Sequence, residues 1–257
     1  MSRSFADIPR PATWTPGKLG GLATVKLEPT EVVYAFVTLA DDPSESDESM
    51  LDAGERDRAA RFVRAADRRR FEHAHTALRC LLARCLGVPP AAIQYRVGPN
   101  GKPHIADGLP HIEFNMAHSS ELALIAVSRD LSVGVDVERL RNIPEANEIV
   151  ASYFTEAERS AIGLLPPDQQ SPAFLLHWTR KEAVIKATGE GLSRSLEGVD
   201  IELPIGAAEP IARVVKLPGK FDVMVLDLPA PVGFAAAGAV VRRSSSQARW
   251  RPLQPAR

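Results

Sequence analysis

Between Val133 and Glu138 the chain alternates without a break, with valine at 133, 135 and 137 and Gly134, Asp136 and Glu138 in between. A period of two puts the valines on one face of a β-strand and both acids on the other. Two carboxylates are thereby aimed in one direction from a rigid element, about 7 Å apart along the strand. A second pattern runs from Trp178 to Lys186, where Trp178, Glu182 and Lys186 share a helical face at i, i+4 and i+8. Three converging carboxylates repel one another unless a cation sits among them, and all-oxygen ligation suits a hard ion such as Mg2+. Lys181 and Lys186 would then serve phosphate groups brought by a substrate. Taken singly, each pattern is equally that of a solvated face, the helical one carrying an i,i+4 pair worth about a few tenths of a kcal/mol.

The rest of the chain supplies the frame. Its 257 residues suffice for one large core or two small ones. With 45% hydrophobic and 25% charged residues and a net charge of -1, bulk attraction to nucleic acid or membrane is not expected. The longest small-apolar run, Val232 to Val241, is too short to span a bilayer. Cys80 and Cys85 lie in one helical pattern without metal-ligand spacing and read as buried thiols of a cytoplasmic protein.

Residues 1–24 are rich in Pro and Gly and read as a flexible lead-in, and residues 242–257 as a disordered tail. Glu31 to Leu39 predicts a central strand. An arginine-dense segment from Glu55 to Arg70 leads into a helix that stops at Gly87. Gly98 to Pro103 is a turn, and strands over 112–116 and 122–128 flank a corner at 117–120. Thr155-Glu-Ala-Glu158 matches a capping box, Pro166-Pro167 ends that helix, and another runs from about Pro172 to Thr188. Strands are expected over 199–203, 221–228 and 233–241. The order gives an α+β fold of two similar lobes, residues 25–130 and 131–241, each with a small antiparallel sheet and packed helices.

Lys102 sits in the glycine turn before a proline, where a pinned backbone leaves the ammonium free to hold a phosphate or to stand in water. His118 follows a strand end, as a structural residue or as one facing a site. Arg56, Arg58, Arg61, Arg64, Arg68, Arg69 and Arg70 could grip a nucleotide phosphate or dock an acidic partner, though a solvated helix is the reading for most of them.

Taken in order, these segments resemble the 4'-phosphopantetheinyl transferases of the long, two-lobed kind that serves polyketide, nonribosomal-peptide and fatty-acid carrier proteins. The matching pieces are Gly101-Lys102-Pro103, Phe114-Asn115-Met-Ala-His118-Ser119, Gly134-Val-Asp136-Val-Glu138, Phe154-Thr-x-x-Glu158, and Trp178-x-x-Lys181-Glu182-Ala-x-x-Lys186-Ala-x-Gly189-x-Gly191-Leu192. Ala117 departs from the family, which often has serine there. The resemblance implies a pseudo-twofold fold and a reaction in which the 4'-phosphopantetheine arm of coenzyme A moves to a serine of an apo acyl or peptidyl carrier protein, releasing adenosine 3',5'-bisphosphate.

Under that implication Asp136, Glu138 and Glu182 hold Mg2+, with Asp136 and Glu182 also catalytic. Glu182 is the candidate general base and Lys186 stabilises the bridging oxygen and departing phosphate. Lys102, Pro103, His118, Ser119, Arg58, Lys181 and Lys186 are the candidate coenzyme A contacts, with the 3'-phosphate expected at His118 and Arg58. Lys102 and His118 lie in the first lobe and the acids in the second, so the site is expected at the seam of a monomer. The rival readings are another Mg2+-dependent nucleotide phosphodiesterase and a non-catalytic module that binds carrier proteins.

Overall fold

The computed structural model describes residues 13–39, 47–189, 199–201, 213–217, 222–242 and 248–254. In chain order they form β1 (Thr13–Trp14), α1 (Pro16–Gly20), β2 (Glu31–Thr38), α2 (Ala53–Ala59), α3 (Ala65–Leu86), β3 (Tyr95–Val97), β4 (Pro103–Ile105), β5 (Glu113–Ser119), β6 (Leu122–Ser128) and β7 (Val133–Arg139). They continue with α4 (Ala146–Tyr153), α5 (Glu156–Gly163), α6 (Pro167–Thr188), β8 (Arg213–Lys216), β9 (Asp222–Asp227), β10 (Phe234–Arg242) and β11 (Arg249–Pro252).

Two sheets carry the fold, and the alternation of their strands stacks them. In the first, of order β1-β2-β6-β5, β11 also pairs with β2. The second has the order β7-β10-β9-β8. Val33, Ala35 and Val37 of β2 point to α3, with Leu78, Leu81 and Leu82, while Val32, Tyr34 and Phe36 point the other way. There they meet Val133, Val135 and Val137 of β7 and Val240 of β10 in one buried cluster. The outer face of the second sheet packs on Ala183, Val184 and Ala187 of α6. The layers are therefore α3, first sheet, second sheet, α6, and the seam between the lobes is a shared apolar core. Each lobe repeats one plan, a first strand, a 22-residue helix, and a later strand returning beside the first. Both long helices end on a left-handed glycine, Gly87 at φ 70° and Gly189 at φ 71°, which frees a carbonyl end without a Cβ clash.

Several expectations change. The lead-in is not loose over its second half: Trp14 and Leu19 are buried in the α3 core and β1 pairs in parallel with β2. Nor is the tail disordered where it is described, because β11 lies parallel to β2 over Glu31 to Tyr34. Together β1 and β11 cover an edge of β2 that would otherwise stand open for pairing. The arginine segment is two helices with a break at 60–64 rather than one. His118 and Ser119 belong to β5, and the turn falls at Ser120, φ 53°. α6 begins at Pro167, a first-turn position where a missing N–H costs little, and runs through Pro172. Residues 199–201 are not a strand, and 202–203 lie outside the described residues. Cys80 is buried but Cys85 only half-buried. Among the described residues no helix is long and apolar enough to cross a membrane.

Candidate active site

Gly134 decides how the second lobe builds its site. A Cβ there would lie 2.1 Å from the Ala183 carbonyl oxygen and 2.2 Å from the Ala187 nitrogen, so only glycine lets the α6 backbone settle on β7. Two residues on, Asp136 faces the same helix. Lys186 Nζ donates to Asp136 Oδ1 at 2.6 Å and stands 3.9 Å from Glu182 Oε2. Asp136 is only 6% exposed, and its Oδ2 has no hydrogen-bond partner. Burial pushes its pKa up to about 7, with Lys186 opposing and Glu182 and Glu138 adding to the rise.

A cleft of about 250 Å³ opens over this cluster. Lys102, Pro103 and Asn115 line it from the first lobe, and Glu182 and Lys186 from α6. Asn115 Oδ1 accepts from the Val135 N–H at 2.9 Å, so β5 and β7 are tied across the seam beside the acids. Further along β7, Glu138 accepts from Ser119 Oγ at 2.7 Å and from Arg141 at 3.1 Å. His118 is exposed at this edge. Partial desolvation, then the charges of His75, Lys186 and Arg58, lower its pKa, with Glu138 pulling the other way. Arg58 reaches the group from α2 and lies over the Phe71 ring at 5.2 Å, and His75 stacks on that ring at 4.0 Å. The arrangement is an acidic floor with a cationic rim, suited to a polyphosphate that brings its own counter-ion. A larger apolar hollow beside α6, about 380 Å³, holds Asp227 as its one ionisable lining group, and Arg180 already pairs with that carboxylate.

Two family models match the chain, the 4'-phosphopantetheinyl transferase N-terminal model over residues 43–130 and the 4'-phosphopantetheinyl transferase superfamily model over residues 132–218. A 4'-phosphopantetheinyl transferase of Bacillus subtilis is 35% identical over 165 residues, 60% of this chain and 72% of that protein. The chain belongs to the 4'-phosphopantetheinyl transferase superfamily. Within it, HetI of Nostoc sp. is 36% identical over 155 residues, 60% of this chain and 65% of its own length. Sfp of Bacillus subtilis (strain 168) is 28% identical over 171 residues, 66% and 75% respectively. The chain thus spans about two thirds of the length of these relatives.

The structure brings Glu182, Lys186, Lys102 and Pro103 to one cleft, with Asp136 bonded to Lys186, Ser119 bonded to Glu138 further along β7, and His118 within the influence of the Lys186 and Arg58 charges. Among the described residues no group of three His, Cys, Asp or Glu side chains is arranged to hold a metal ion in this structure: the Lys186 ammonium lies beside Asp136 and Glu182, and Glu138 is turned to Ser119 and Arg141. Two expectations need correcting. Lys102 is not free, since its Nζ donates to Ser132 Oγ and to the Val133 carbonyl, both at 3.2 Å, and faces Glu113 at 3.5 Å. Lys181 is fully buried, away from the cleft, where it pairs with Glu158 at 2.8 Å and lies over Phe154.

Three of the six remaining arginines are engaged elsewhere: Arg68 pairs with Glu72 and Glu48, Arg70 with Asp67, and Arg56 donates to the Leu51 carbonyl. His75 and Asn100 were missed as members of the site. The signal for His75 was its i+4 spacing from Phe71; for Asn100 only the turn itself pointed.

Proposed function

We propose that this protein transfers 4'-phosphopantetheine from coenzyme A to a serine hydroxyl of an apo acyl or peptidyl carrier protein, as a Mg2+-dependent enzyme. The observation that carries the reading is the buried Asp136, with one oxygen unpartnered, bonded to Lys186 beside Glu182, two residues that line the cleft, with His118 close enough to feel the charges of Lys186 and Arg58. In the reaction the serine oxygen bonds to the phosphorus of the pantetheine side of the pyrophosphate. The bond to the bridging oxygen breaks, and adenosine 3',5'-bisphosphate leaves with the electron pair.

The acids suit a hard cation. Asp136 Oδ2 lacks a donor, the neighbours are carboxylates, and a cation would offset the repulsion that helps raise the Asp136 pKa. Asp136 and Glu182, with Glu138 further along the same strand face, would hold Mg2+, which when bound neutralises pyrophosphate charge. Glu182 takes the serine proton. Lys186 stabilises the leaving oxygen, its ammonium kept in the cleft by Asp136. His118 and Arg58 receive the 3'-phosphate, and Pro103 with the Lys102 stem walls the cleft.

The test is incubation with coenzyme A, Mg2+ and a panel of apo carrier proteins, read by intact mass. One added phosphopantetheine group on a carrier serine is the expected result, and coenzyme A cleavage without carrier modification would make the protein a phosphodiesterase instead. His118→Ala should weaken coenzyme A more than dephospho-coenzyme A in calorimetry; equal loss would move His118 elsewhere along the cofactor.

A further inference from the structure

The last turn of α6 ends against residues of both lobes. A helix leaves its final carbonyls without intrahelical donors, and two of them are satisfied here from outside. Ala187 O accepts from Ser132 Oγ at 2.8 Å, and Gly189 O from Asn100 Nδ2 at 2.9 Å. Lys102 supports both contacts: its Nζ donates to Ser132 Oγ at 3.2 Å, and its Cδ would lie 3.6 Å from a Cβ on Gly189. Glu113 of β5 closes the group, 3.5 Å from Lys102 Nζ and 3.4 Å from Ser132 Oγ. Burial lowers the Lys102 pKa and Glu113 opposes it, as for an ammonium enclosed in a structural network.

The contact at Gly134 stops α6 from coming closer to β7, but packing of that kind resists approach more than sliding. Directional hydrogen bonds at the helix end resist sliding. Lys186, whose bond to Asp136 is 2.6 Å long, sits one residue before Ala187, and Glu182 one turn earlier. We propose that Asn100, Lys102 and Glu113 of the first lobe, joined through Ser132 at the start of the second, form a clasp that sets the axial position of α6, and with it the placement of Glu182 and Lys186 against Asp136. They are positioning residues, and their effect on rate rests on the transfer reaction proposed above.

Ser132 and Glu113 do not line the cleft, which makes them the residues to change. Ser132→Ala should lower kcat for carrier modification roughly 10- to 100-fold, the scale of a small misplacement of reacting groups. The calorimetric Kd for coenzyme A should stay nearly unchanged. Amide hydrogen exchange over residues 185–189 should accelerate without a matching fall in Tm, Ser132→Thr should restore both values, and Glu113→Gln should act in the same direction more weakly. Wild-type kcat and unchanged exchange in Ser132→Ala would overturn the clasp, as would kcat and Kd worsening together with Tm. If the wild-type protein modifies no carrier the proposed reaction fails, and the exchange measurement still decides the clasp.

Discussion

An ionised carboxylate inside a protein is costly unless it is paired, and in this chain charges were placed by their partners more than by their spacing. Asp136 was legible from the alternation of β7, and Glu182 with Lys186 from helical spacing. The burial of Lys181 was not: Lys181 and Glu182 are adjacent, and it is Glu158, 23 residues before Lys181 and fixed by its capping box, that pairs with Lys181 in the interior. Arg79 was likewise hidden, a fully buried guanidinium held by Glu55, Asp52 and two carbonyls that bolts α2 to α3. His177 gives a clean test at this scale. Neither ring nitrogen has a hydrogen-bond partner, and burial, then Arg180 and Lys181, lower its pKa to about 3. The unfolded chain takes that proton near 6.5, so the stability contribution is complete above 6.5 and is lost as pH falls toward 3. His177→Leu should therefore lose less stability than wild type between these pH values, read from urea midpoints. An identical acid dependence in both proteins would mean that His177 protonates in the folded state without penalty.

Elements were legible where periodicity was long. β2, β6, β7, α3 and α6 follow from alternation or helical spacing and from glycine stops, whereas the two-residue β1 and four-residue β8 are too short to leave a pattern. The sequence pattern starts this helix at about Pro172, beyond the Pro166-Pro167 stop, but α6 starts on Pro167 and tolerates the second proline near its beginning. How α6 sits on β7 depends on one glycine. Gly134→Ala should destabilise by at least about 1–3 kcal/mol, because the added methyl meets backbone that cannot rotate away. Gly163→Ala in α5 meets nothing within 4 Å and should be neutral or stabilising by about 0.5–1 kcal/mol. Guanidinium unfolding of the two variants checks the pair, and equal behaviour would contradict the close approach.

At the scale of the molecule, the two-lobed plan could be inferred from the repeated order of elements, but its closure could not. Glu31 is bonded by Arg249 and Arg251, pairs separated by 218 and 220 residues, which no local pattern announces. Between them Trp250 enters the seam where a Cβ on Gly238 would lie 2.3 Å from its ring. β11 therefore pairs with the first sheet while its tryptophan fills a gap in the second. Gly238→Ala should be destabilising alone and nearly neutral in a Trp250→Ala background, a coupling of about 0.5–3 kcal/mol in a double-mutant cycle; additive losses would remove Trp250 from the seam. The acids and lysine at this seam carry the transfer proposed above, and the most direct test of that role is the rate of apo-carrier modification by wild type and Glu182→Gln across a Mg2+ titration, followed by intact mass. Wild type should add one phosphopantetheine group in Mg2+ and none in EDTA, and Glu182→Gln should remain slower by roughly 10²–10⁴ at saturating Mg2+. Undiminished transfer in EDTA, or full recovery of Glu182→Gln by added Mg2+, would contradict it.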